Sequence, residues 1–173
     1  MKFILQENNI NKDGVFMDFL TIGVYGYTEE AFFYQLQQNN IDTFVDIRLR
    51  RGMRGKKYSF VNSLYLQNKL QQLNINYIHI KELAPTQYVR EQQKLEDIKT
   101  GVNKQTRTEL GAAFITAYEQ ECLKSFNLND FLDILGPNAH KVVLFCVESN
   151  HKACHRSIVA KYLRENRFNV KHI

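Results

Sequence analysis

Lys141–Leu163 reads KVVLFCVESNHKACHRSIVAKYL, and its reading decides the fold. Val142–Val147 is an apolar run with the length of one buried strand. Ser157–Leu163 places Ile158, Val159, Tyr162 and Leu163 on one helical face. Between strand and helix stand Cys146, Glu148, His151, Cys154, His155 and Arg156. Strand-to-helix turns of this kind carry function in α/β proteins, because the carboxyl ends of parallel strands open onto a crevice.

Upstream, the chain repeats the same alternation of strand and helix. Phe19–Val24 is a strand that runs into Gly23 and Gly26. Thr28 then caps a helix reaching Gln38, with Glu29 and Glu30 in its first turn, where the helix dipole favours them. Thr43–Ile47 is the second strand. Asp46 and Arg48 lie near its end and point the same way, being two residues apart. Leu66, Leu70 and Leu73 predict a helix over 59–73, and Asn76–Lys81 alternates as a third strand bearing His79, with Glu82 beyond it. Residues 86–106 are polar and predict a surface helix with a turn at Gly101, a lid or an insertion. Leu110, Phe114, Ala117 and Tyr118 predict one long helix over 107–126. Leu128–Leu135 is a short helix closed by Gly136-Pro137, and Phe168–Ile173 is a terminal strand. Residues 1–17 read as an N-terminal extension, with Phe3–Leu5 as an edge strand and Asn8–Gly14 as a turn.

This order argues one α/β domain over 1–173. The expected architecture is a layered, Rossmann-like fold with a mostly parallel sheet flanked by helices on both faces. The polar groups at the strand ends, Gly23/Gly26, Asp46/Arg48, Glu82 and Cys146/Glu148, then fall on one rim.

Composition narrows the function. The 173 residues and 44% apolar content suit a folded domain with a full core. No apolar run is long enough for a membrane span, and the start lacks the pattern of a signal peptide, so a cytoplasmic location with reduced cysteines is expected. The net charge of +5 is unevenly placed. No acidic residue lies between Asp46 and Glu82, where Arg48, Arg50, Arg51, Arg54, Lys56, Lys57, Lys69 and Lys81 stand. A basic patch on a near-neutral body points to an anionic small molecule or a nucleic acid as partner. Arg48, Arg50, Arg51 and Arg54 are candidate anion-binding residues by their forked geometry, and the glycine turn at Gly23 and Gly26 is a candidate phosphate cradle. Its spacing matches neither the dinucleotide nor the P-loop fingerprint.

The residues TIGVYGYTEEAF (21–32), VDIRLR (45–50), INYIHIKELA (75–84) and LFCVESNHKACHRSIVA (144–160) resemble the family called domain of unknown function 488. The likeness runs from Thr21 to about Leu163. It implies an α/β domain with its site at Cys146, Glu148, Cys154, His155 and Arg156, joined by Asp46 and Arg48.

Three chemistries suit these groups. In the first, Cys154 near a helix start is an activated thiol, Arg156 holds a phosphate or carboxylate, and Glu148 is a general base or orients His155. His79 and Glu82 stand by as supporting groups. The phosphatase loop with cysteine and arginine six apart does not fit, since Lys152 is six after Cys146. The second is a metal site: zinc on Cys146, Cys154, His151 and His155, or magnesium on Asp46, Glu82 and Glu148. Neither spacing is diagnostic, and the sequence requires no cofactor. The third is a non-catalytic nucleic-acid or nucleotide-binding module that uses the basic loop 48–57.

Overall fold

A computed structural model describes residues 14, 16–102 and 107–173. The expectations for Phe3–Leu5 and for most of Asn8–Gly14 lie outside the described residues. The strands are β1 (Asp18–Ile22), β2 (Thr43–Asp46), β3 (Asn76–His79), β4 (Lys141–Phe145) and β5 (Val170–His172). The helices are α1 (Glu29–Gln38), α2 (Ser63–Gln72), α3 (Gln87–Thr100), α4 (Ala112–Tyr118), α5 (Leu128–Leu135) and α6 (Arg156–Glu165). The five strands form one sheet in the order β3-β2-β4-β1-β5, and every ladder is parallel. The α/β layered architecture read from the sequence is the architecture found. No helix among the described residues is long and apolar enough to cross a membrane.

Both sheet faces are covered. This explains why β4 is apolar from Val142 onward rather than alternating. Phe19, Val45, Val142 and Leu144 face α4, α5 and α6. Leu20, Ile22, Phe44, Val143 and Phe145 face α1 and α2. On that second side Phe32 of α1 meets Phe33, Phe44, Phe60 and Phe145 with ring centroids 5.4–6.4 Å apart, mostly edge to face. Local signals set several boundaries. The Thr28 hydroxyl accepts the Ala31 N–H at 3.2 Å, Thr86 accepts that of Val89 at 3.3 Å, and Asn127 caps α5. Gly101 ends α3 with φ +70°, a left-handed turn that glycine enters without steric cost.

Two helices differ from expectation. The segment 59–73 breaks into a single 3-10 turn, Ser59–Val61, and then α2, with Asn62 extended between them. The Val61 carbonyl is diverted out of the helix to accept from the Arg48 guanidinium at 2.9 Å. The expected long helix over 107–126 begins at Ala112 and continues after Tyr118 as a π turn, Glu119–Leu123. Residues 107–111 are strapped down instead. Arg107 pairs with Asp97 at 2.8 Å, the Leu110 N–H donates to the Lys152 carbonyl at 3.0 Å, and the Gly111 N–H donates to the Gln93 side chain at 2.9 Å.

Candidate functional site

The connections decide where the sheet opens. The chain leaves β2 through α2 toward β3, and leaves β4 through α6 toward β5 on the other face. The two exits diverge from neighbouring strands, so the crevice lies between the carboxyl ends of β2 and β4. His155 bridges that point, its Nε2 lying 3.1 Å from the Ile47 carbonyl.

Cys146 continues the alternation of Val142 and Leu144 and so faces the α4/α6 side. Cys154 and His155 come from the turn that enters α6. The Asn150 side chain fixes the start of this turn by accepting the Lys152 N–H at 2.9 Å and donating to the Thr108 carbonyl at 3.0 Å. The three side chains are almost sealed, at 6%, 2% and 7% exposure for Cys146, Cys154 and His155. A carbonyl can only accept, so Nε2 carries a proton and Nδ1 is turned to the sulfurs. Nδ1 lies 3.8 Å from the Cys146 Sγ and 3.9 Å from the Cys154 Sγ. The Tyr118 ring backs the imidazole at 5.7 Å. The neighbouring Cys154, together with burial, holds the Cys146 thiol well above its ordinary range. Burial pushes Cys154 up as well, but the neighbouring Cys146, His155 and Arg156 outweigh it and bring it well below. The two thiols are therefore inequivalent, and Cys154 gives up its proton more readily than Cys146.

This cluster floors a cavity of about 560 Å³. Val147, Glu148, Leu110 and Phe114 form its sides, and α3 closes it with Arg90, Gln93, Lys94, Asp97 and Ile98. Asp97 is engaged by Arg107 and by the Gln93 amide, which donates to it at 2.7 Å. Arg90 and Lys94 make no ion pair among the described residues. The segment expected to be a lid or insertion thus supplies one wall of this cavity.

Asp46 and Arg48 end on the same rim but across the sheet, on the α1/α2 side with Phe44. Arg48 forks onto the Asp46 carboxylate at 2.9 and 2.7 Å and lies 4.6 Å over the Phe145 ring. Both are buried. The Tyr77 hydroxyl donates to Asp46 at 2.9 Å, and burial with that carboxylate pushes its pKa up to about 12. His79 Nε2 lies 2.8 Å from the Arg48 carbonyl. Asp46, Arg48 and His79 thus clasp the start of the basic loop. Arg50 and Arg54 project into solvent and Arg51 is half-buried; none of them lines the cavity. Glu82 is exposed and borders a different hollow beside Ile80 and Asp130. The magnesium set of Asp46, Glu82 and Glu148 is therefore not brought together.

Arg156 is spent inside the protein. At 2% exposure it donates through Nη1 to the Glu148 carbonyl and through Nη2 to the Ser149 carbonyl at 2.8 Å. It clamps the 148–149 turn and is not directed at an anion in the cavity. The role expected for Glu148 in orienting His155 falls to the Ile47 carbonyl. Gly23 makes room for that turn: a Cβ there would lie 1.8 Å from the Glu148 carbonyl oxygen. Gly26, with φ +97°, donates its N–H to the Tyr58 hydroxyl at 3.2 Å. Arg90, Gln93 and Lys94 escaped the sequence reading, and Tyr118 entered it only as a packing residue of a helix. The i, i+4 spacing of Arg90 and Lys94 was the available signal, in a segment whose polarity suggested plain surface.

His151 also departs from the zinc set. Its ring stacks on His172, centroids 3.7 Å apart. Arg164 Nη2 points at His172 Nε2 at 3.3 Å, and a guanidinium can only donate, so Nε2 keeps its lone pair. Partial burial, then the charges of His151, Arg164 and Arg156, lower the His172 pKa to about 4. An unfolded histidine titrates near ~6.5, so on acidification the unfolded chain takes the proton first. This contribution to stability is complete above about pH 6.5 and is lost as the pH falls toward 4. Thermal melts from about pH 7 to about pH 4.5 should show a falling midpoint, and a flatter slope in His172→Gln. Equal slopes in the two proteins would remove His172 as the cause.

A family model described as domain of unknown function DUF488 matches residues 28–163. No curated protein and no solved structure matches the chain.

Proposed function

The chain belongs to the DUF488 family, and we propose that it is an enzyme acting on an anionic small molecule, with Cys146, Cys154 and His155 as its reacting centre. One observation carries this reading: two thiols and an oriented imidazole form the floor of a cavity whose α3 wall bears Arg90 and Lys94. The buried Leu110 and Phe114, with the exposed Ile98, suit an apolar body on the substrate, while the two cations suit its charged end. Glu148 borders the same space and is placed to move a proton. Cys154 takes the leading role because its electron pair is the more available of the two thiols.

Alkylation tests this without knowing the substrate. In reduced, chelator-treated protein, iodoacetate is expected to modify Cys154 faster than iodoacetamide, after correction for their rates with a free thiol. Arg90→Glu with Lys94→Glu should cut that preference by about tenfold, the lower end of what charged clefts do to association. A Cys154 that resists both reagents in the folded protein would overturn the reading. So would a preference indifferent to the charge reversal.

A further inference from the structure

We propose that Cys146, Cys154 and His155 are three ligands of a soft divalent metal ion, zinc by choice of donors, whose fourth position opens into the cavity. The inference rests on the reading of that cavity as the place of chemistry, and it specifies the agent. The two sulfurs and Nδ1 all lie within 4.8 Å of one another. A tetrahedral zinc with Zn–S of roughly 2.3 Å and Zn–N of roughly 2.0–2.1 Å separates sulfur from nitrogen by roughly 3.6 Å. The sulfur–nitrogen distances here are 3.8 and 3.9 Å. Both sulfur–nitrogen pairs therefore sit within a few tenths of an ångström of ligating separations, and the two sulfurs lie within 4.8 Å of each other.

The second sphere agrees. A ligating histidine usually donates its other N–H to a carboxylate or a backbone carbonyl, which fixes the ring. His155 Nε2 does this to the Ile47 carbonyl, and Nδ1 is the nitrogen turned to the sulfurs. The donor set selects the metal. Two thiolates and an imidazole suit zinc and its borderline-soft neighbours, whereas calcium and magnesium require oxygen. His151, the fourth zinc ligand considered from sequence, is stacked on His172. Three protein ligands with one position facing a pocket is the pattern of catalytic rather than structural zinc. Two thiolates balance the charge of a divalent ion, so the centre stays near neutral. Arg90 and Lys94 then supply the attraction for an anionic ligand arriving at the open position. The class of chemistry that follows is activation of a bound water or polarisation of a substrate oxygen.

Cobalt and zinc titrations of the reduced full chain test the site. The wild type is expected to take up one equivalent of cobalt, with sulfur-to-cobalt charge-transfer bands and the visible absorption of a tetrahedral ion. Zinc should displace it and slow the alkylation of Cys154. Cys146→Ser, Cys154→Ser and His155→Ala should each weaken binding by more than the ~10–100-fold that outer-sphere partners carry. Cys122→Ser should leave binding unchanged, since that thiol lies elsewhere, near the Ala84 carbonyl at 3.7 Å. Absence of stoichiometric uptake by the wild type overturns the proposal, whatever the variants' stability. Retention of the charge-transfer bands in both site cysteine variants does so too. If cobalt fails while Cys154 still favours the anionic reagent, the metal falls and the reading of the cavity stands. The reverse pair of results spares the metal and removes the anionic substrate.

Discussion

Gly23→Ala is expected to be among the most damaging single substitutions in this chain, at about 3–5 kcal/mol of stability. The added carbon would sit 1.8 Å from the Glu148 carbonyl oxygen, 2.8 Å from its carbon and 3.0 Å from Arg156 Nη1. Two of these three are backbone atoms and cannot rotate aside as the tip of a side chain does. The neighbouring Val147 carbonyl is held by the N–H groups of Val24 and Tyr25 at 3.1 and 3.0 Å, so the turn is fixed at its start as well. Relief requires moving the 147–149 segment and breaking the two bonds from Arg156. Gly26→Ala is the control. It meets nothing within 4 Å and carries the cost of a left-handed φ alone, about 1–2 kcal/mol. Urea unfolding of the two variants decides the matter. Equal losses would mean that the close approach at Gly23 carries no energetic weight.

Asp46→Ala should cost a comparable amount, about 3–5 kcal/mol, for an electrostatic reason. Arg48 is 4% exposed, and its charge is met by Asp46. Deleting the carboxylate leaves a sealed guanidinium with a carbonyl for company and takes the Tyr77 hydroxyl's acceptor away. A double replacement, Asp46→Leu with Arg48→Met, should recover most of the loss, because buried ion pairs are often matched by apolar groups of similar volume. Chemical denaturation of the single and double variants measures this. A single variant within about 1 kcal/mol of wild type would show that solvent reaches the pair. The double variant should still alkylate at Cys154, since that thiol lies across the sheet.

Much of the fold could be read from the chain. The Thr28 cap set α1, and the apolar run at β4 announced a strand covered on both faces. The thiol–imidazole cluster was legible because all three residues flank one strand-to-helix turn. Side was harder to read than place. Alternation puts Asp46 and Arg48 on one side of β2, but the pairing of β2 with β4 decides that Cys146 faces the other. The continuous helix over 107–126 failed for a similar reason. Gly111 is tolerable inside a helix, and what stops it is Gln93, eighteen residues earlier in the chain. Arg156 looked like an anion ligand because a sequence carries no record of burial. Its partners are backbone carbonyls, which have no letter of their own.

The sheet therefore works as a partition. One strand end serves two compartments, an arginine-rich exterior on one side and a sulfur-floored cavity on the other, with the peptide group of Ile47 as the joint between them. Variation in the loop's length or charge can change what the outside meets and leave the cavity's chemistry alone. A shift in the β2 backbone cannot be so contained, because it would turn the imidazole with it.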